Sequence, residues 1–68
     1  MSKLIISGRL IEFRKRSGMT QKDIGDLLGV SAQAVSKWER GWSYPDVTLL
    51  PELSRLLSCD IGDFFEQA

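Results

Sequence analysis

The 68-residue sequence has no histidine, one cysteine and two prolines, and its formal net charge is zero. Each shortage excludes something. Without histidine the chain lacks the commonest general base, the commonest metal ligand and the usual side-chain switch near neutral pH. A single Cys59 forms no disulfide within the chain, and it builds no cysteine zinc site. No uninterrupted apolar run exceeds three residues, Leu4 to Ile6, so no segment is expected to span a bilayer. The N-terminus also lacks the apolar stretch of roughly 7–15 residues that a secretion signal requires. No glycine-rich phosphate loop and no carboxylate pair at helical spacing around a cleft stands out. Together these gaps predict a cytoplasmic protein with no cofactor and no enzymatic activity.

What is present suits one domain over residues 1–68. Apolar residues make up 43% and charged residues 26%, an ordinary globular balance. So short a chain buries a smaller share of its surface than a long one, so its core must be efficient or helped by a partner. The zero net charge hides a division. Residues 1–41 carry eight cations (Lys3, Arg9, Arg14, Lys15, Arg16, Lys22, Lys37, Arg40) against four acids. Residues 42–68 carry Arg55 alone against Asp46, Glu52, Asp60, Asp63 and Glu66. Such a split says more about partners than the total does, with a chance clustering of solvated charge as the alternative.

Glycine and proline punctuate the chain, and the pieces between them have helical rather than alternating periodicity. Five helices are expected. The first covers about residues 8–17, capped by Ser7 and ended by Gly18. The second covers about 21–28, with Thr20 and Asp23 as a short-armed capping box and Gly29 as its stop. The third covers about 32–40, capped by Ser31 and stopped by Gly41. The fourth covers about 47–57 behind Asp46, with an irregular start because Pro51 falls inside it. The fifth covers about 61–66, with Asp60 as cap and Asp63 at its third position. The predicted core is Ile6, Leu10, Phe13, Ile24, Leu28, Val30, Val35, Trp38, Leu49, Leu53, Leu56, Ile61 and Phe64.

The second and third helices are joined by only Gly29-Val30-Ser31, which makes them cross steeply. Gly29 takes the positive φ that turns the chain, and Val30 buries itself beneath the turn. Gly25 leaves room for the third helix to approach near Val35. The stretch "GVSAQAVSKWERG" then sets Val30, Val35 and Trp38 on one side, and Ser, Ala, Gln and Lys side chains on the other. That second face is poor for a core and poor for salt bridges.

The segment "TQKDIGDLLGVSAQAVSKWERGWSYPD" resembles the helix-turn-helix of the phage repressor and Cro family, the XRE-type regulators. The resemblance rests on Thr20-Gln21, Gly25, Gly29-Val30-Ser31, Val35, Ser36-Lys37-Trp38-Glu39 and Gly41, and it extends over about residues 6–65. It implies an all-α, lambda-repressor-like bundle of five helices whose third helix lies in the major groove of a double-stranded DNA operator. It implies that Ala32, Gln33, Ser36 and Lys37 face base edges. It places Gln21, Ser31, Ser43 and Tyr44 against phosphates, and it pairs Arg14 with Glu39 to brace the recognition helix. It also implies a repressor acting as a homodimer on a two-fold operator.

The residue chemistry agrees. Small side chains allow close approach to a groove floor. Glutamine matches adenine N6 and N7, lysine donates to guanine O6 or N7, and alanine suits a thymine methyl. The bland alternatives are that Gln33 and Lys37 are merely solvated, and that Arg14–Glu39 is a surface pair contributing roughly 0–1 kcal/mol. Trp42 either packs over its loop, the favoured reading, or lies against the DNA backbone. Cys59 reads as a small buried hydrophobe.

Three departures from the family pattern stand out. Gly25 replaces a more usual alanine and should loosen the second helix by roughly 1 kcal/mol. Ser58 stands where glycine is common, so the fourth helix should end strained or differently closed. The modest basic excess implies weak nonspecific DNA binding and a need for dimerisation, through the last helix, Leu57, Phe65 or Leu27. A competing reading is a protein-binding module, antitoxin-like or adaptor, whose acidic second half with Phe64 and Phe65 meets a partner. A further C-terminal domain in a longer regulator is the remaining option.

Overall fold

A computed structural model describes residues 5–65 of the chain. Among them are four α-helices rather than the expected five: α1 Ile6–Ser17, α2 Gln21–Leu28, α3 Ala32–Glu39 and α4 Leu50–Leu57. Two 3₁₀ turns, Val47–Leu49 and Ile61–Phe64, replace the start of the fourth expected helix and the whole described part of the fifth. The expected end of that fifth helix at Glu66, like the Leu4 of the longest apolar run, lies outside the described residues.

α1 begins earlier than its sequence suggests. Ser7 lies inside the helix, and Ile5 stands at the cap position without a side-chain cap bond. A tertiary contact replaces the missing cap, because the Ile5 N–H donates to the Phe64 carbonyl at 2.7 Å. Arg9 Nε adds a second tie from α1 to the same turn, on the Asp63 carbonyl at 3.1 Å. The other end of α1 is as expected, with Gly18 left-handed at φ 76°.

α2 and α3 follow their local signals closely. Thr20 and Asp23 close both halves of a capping box around the start of α2. Gly29 ends it at φ 74°. The Ser31 hydroxyl accepts the Ala34 N–H at 3.1 Å and starts α3. At the far end of α3, Gly41 is left-handed at φ 73°. There the Gly41 N–H reaches the Trp38 carbonyl and the Trp42 N–H reaches the Lys37 carbonyl at 2.9 Å, the two bonds of a Schellman closure.

The later part is less regular. Asp46 accepts the Thr48 N–H at 3.0 Å, but this starts a three-residue 3₁₀ turn and not a helix. Pro51 then falls in the first turn of α4, where its missing N–H costs no intrahelical bond. α4 ends on Ser58, in the left-handed region at φ 54° without being glycine. The Ser58 N–H bonds the Arg55 carbonyl and the Cys59 N–H bonds the Ser54 carbonyl, so the closure is the same Schellman pattern built on a strained residue. In the last turn Asp60 stands at the cap position with Asp63 at the third position, as expected, and the Asp60 backbone N–H donates to the Asp63 carboxylate at 3.1 Å.

The buried core is Ile6, Leu10, Ile24, Leu28, Val35, Trp38, Leu50, Leu53 and Phe64. Phe13, Val30, Leu49 and Leu56, expected in it, pack against its edge. Ile61 is a correction, since it is 39% exposed: it opens a 3₁₀ turn anchored by Phe64, and the short turn buries only one of the two. Leu50 was not expected inside and is buried, because the helix starts at Leu50 and turns that side chain inward. No helix among the described residues is long and apolar enough to cross a membrane.

Candidate nucleic-acid interface

The site is built on α3, and α3 is positioned by what lies beneath it. It packs on both α1 and α2, with Val35 fully buried and Trp38 nearly so. At about 100° per residue, Ala32, Gln33, Ser36 and Lys37 fall within an arc of about 140° on the opposite side. Gln33 and Lys37 are exposed there, and Ala32 and Ser36 are half-buried. With its side chains a helix is about 10–12 Å across, a thickness that a B-DNA major groove admits.

The elbow holds this arc away from the body. The Val30 N–H bonds the Gly25 carbonyl at 2.9 Å, the outer bond of another Schellman turn. Gly25 is buried, and a Cβ on it would lie 2.6 Å from the Val30 carbonyl oxygen. Its role is therefore to let the turn and the start of α3, at Val30 and Ser31 rather than near Val35, close on α2. The glycine that weakens α2 is the condition of the tight joint.

Behind the arc sits a polar clamp. The side chain of Glu39, at the last position of α3, is only 6% exposed. It accepts Arg14 Nε at 2.7 Å and Arg14 Nη2 at 3.0 Å, a two-pronged pair from α1. It also accepts Gln21 Nε2 at 3.2 Å, from the first residue of α2. The bond to Glu39 pushes the Arg14 guanidinium above its already high value. Three helices thus meet on one carboxylate, a small network rather than an isolated pair. The expected Arg14–Glu39 contact is present; the bond from Gln21 was not expected, because nothing local in the sequence brings residues 21 and 39 together. One amide hydrogen of Gln21 remains for another acceptor. The Ser31 hydroxyl, already accepting from Ala34, likewise keeps its own hydrogen to donate.

Ser43 is half-buried and Tyr44 is 52% exposed, on the loop that follows α3. Trp42, expected to pack over this loop, does not: it is 69% exposed. The Schellman closure turns the chain at Gly41 and leaves the indole outside, where the Arg40 guanidinium lies 4.8 Å from its ring centroid.

Helices meeting at a three-residue elbow, with the outer arc of the second left in solvent, define the helix-turn-helix class. The chain belongs to that family, whose model matches residues 10–64. It is 30% identical over 63 residues to an HTH-type transcriptional regulator of Sinorhizobium medicae, covering 93% of this chain and 45% of that protein. It is 32% identical over 57 residues to one from Archaeoglobus fulgidus, covering 84% and 81%, and 34% identical over 55 residues to the HTH-type transcriptional activator BcrR of Enterococcus faecalis, covering 81% and 27%. The chain thus spans less than half the length of the Sinorhizobium relative and about a quarter of BcrR. Among solved structures it resembles the P22 c2 repressor in complex with a synthetic operator, with TM-score 0.79 and 31% identity over 91% of this chain and 94% of that one. It also resembles the solution structure of that repressor's DNA-binding domain, with TM-score 0.75 and 31% identity over 94% of this chain and 84% of that one.

Proposed function

We propose that this domain binds double-stranded DNA as part of a transcriptional regulator acting in the cytoplasm, with α3 in the major groove. Ala32, Gln33, Ser36 and Lys37 read base edges. The spare amide hydrogen of Gln21, the Ser31 hydroxyl, Ser43 and Tyr44 hold phosphates and set the register. The observation that carries this reading is the outer arc of α3: it is polar and unpaired, while Val35, Trp38 and Glu39 fix the helix from behind. The likeness to the P22 c2 repressor on its operator supports the same geometry. A repressor working as a two-fold dimer completes the proposal, with half-sites roughly 34 Å apart, one turn of DNA.

Selecting bound duplexes from a random pool tests it. With the selected site in hand, Gln33→Ala should cost about 1–3 kcal/mol and relax the preference at one base position. Gln21→Ala should weaken binding to every sequence about equally. If both variants hold the selected duplex as tightly as the parent protein, α3 does not read the groove.

A further inference from the structure

We infer that Trp42 and Arg40 form a contact to the DNA backbone at the C-terminal end of the recognition helix, in addition to the phosphate contacts proposed above. The inference rests on the DNA-binding reading and extends it to two residues beyond the four assigned to base edges. Trp42 is the more exposed of the two tryptophans, at 69% against 5% for Trp38. An indole this exposed is a large apolar surface with only the Arg40 guanidinium against it, and aromatic rings of this kind anchor interfaces.

Its position is fixed by the backbone. The Trp42 N–H is bonded to the Lys37 carbonyl at 2.9 Å, and Gly41 turns at φ 73° just before it. On the helical period Arg40 falls within the face assigned to the groove, and the ring stands beside its guanidinium. Arg40 covers it at 4.8 Å, a stacking that holds both groups in one orientation before any ligand arrives.

The charge around the ring selects the occupant. Three cations of the same half are paired, Arg14 with Glu39, Arg16 with Glu12 and Lys22 with Asp26, while Arg9 and Lys15 make no ion pair among the described residues. Lys37 and Arg40 make no ion pair among the described residues. An aromatic surface stacked by an unpaired guanidinium matches a sugar–phosphate chain. The deoxyribose packs on the indole, the indole N–H donates to one phosphate oxygen, and the guanidinium pairs with another. These contacts carry no base information, so their effect is the same at every sequence.

The test uses the whole chain with the selected duplex and an unrelated duplex of equal length. Trp42→Ala is expected to weaken both about tenfold, with its thermal unfolding midpoint unchanged because the side chain is exposed. Arg40→Gln is expected to lower the slope of log affinity against log salt by about one. In the parent protein, iodide should quench the exposed indole, and duplex should protect it. Equal affinity of Trp42→Ala and parent for both duplexes, or an indole still quenched in the complex, overturns the inference while leaving groove reading by α3 in place. Protection that appears on raising protein concentration without DNA overturns it in favour of self-association. A parent protein that retains no duplex at low salt overturns the DNA-binding reading and this inference with it.

Discussion

The elbow, residues 19–42, and the region after it, residues 43–65, carry the same kinds of start and stop residue and use them differently. Thr20 and Asp23 close a complete capping box and launch eight helical residues. Asp60 and Asp63 have the same spacing, yet they hold only a four-residue 3₁₀ turn. Gly41 and Ser58 both end a helix in a left-handed Schellman closure, but only Gly41 does so without steric cost. Local chemistry is sufficient where several signals agree over one stretch. Where they conflict or run short, as at Pro51 and Ser58, burial of Leu50, Leu53 and Phe64 decides the path.

The contrast can be broken most strongly at Glu39. Glu39→Gln removes the charge on which Arg14 and Gln21 converge, and should destabilise the protein by about 1.5–3 kcal/mol in urea denaturation. It should also weaken duplex binding, since α3 loses its brace from behind. A change near zero would return the pair to the status of a surface bridge.

Gly25→Ala tests the joint. The added methyl gains about 1 kcal/mol of helix propensity, but overpacking against the Val30 carbonyl costs about 1–3 kcal/mol. The expected outcome is a net loss of about 1 kcal/mol, read as a lower denaturation midpoint. A gain would mean that the turn relaxes freely and that the glycine is dispensable.

Ser58→Gly runs the other way. Relief of the left-handed serine is worth about 1–2 kcal/mol, and the extra freedom of glycine in the unfolded chain takes back about 0.5–1 kcal/mol. The thermal midpoint should therefore rise by the equivalent of about 0.5 kcal/mol, bringing α4 closer to the standard of α3.

The smallest effect is expected in acid. The Thr20 backbone N–H and then its hydroxyl hold the Asp23 carboxyl below its usual value. The Thr48 N–H and hydroxyl do the same for Asp46. Folding lowers both, so each carboxylate favours the folded state above the ordinary aspartate value, and that contribution is lost as pH falls through the lowered one. Asp23→Asn should be less stable than the parent near neutrality and should lose less on acidification between about pH 5 and pH 2. Parallel curves for the two proteins would show that the box contributes nothing through its charge.

Much of the site was legible in the residues because its signals are local. The caps Thr20 and Ser31, the stops Gly29 and Gly41, and the apolar stripe of Val35 and Trp38 lie within a few residues of the parts they shape. The features that depart from these local signals depend on distant partners. The start of α1 is held by Phe64, some sixty residues away, rather than by Ser7. Trp42 reads as a packing residue by its apolarity, yet the loop offers it only the guanidinium of Arg40.

The sequence by itself determined the elbow: the lengths of α2 and α3, the turn between them and the polarity of the outward arc. These follow from backbone dihedral preferences, short-range hydrogen bonds and the 3.6-residue period. The tertiary structure alone decided that Glu39 gathers Arg14 and Gln21, that the last turn stays 3₁₀, and that an indole is left in solvent beyond the end of α3. Those outcomes depend on which surfaces meet when the helices pack, and no spacing along the chain encodes that meeting.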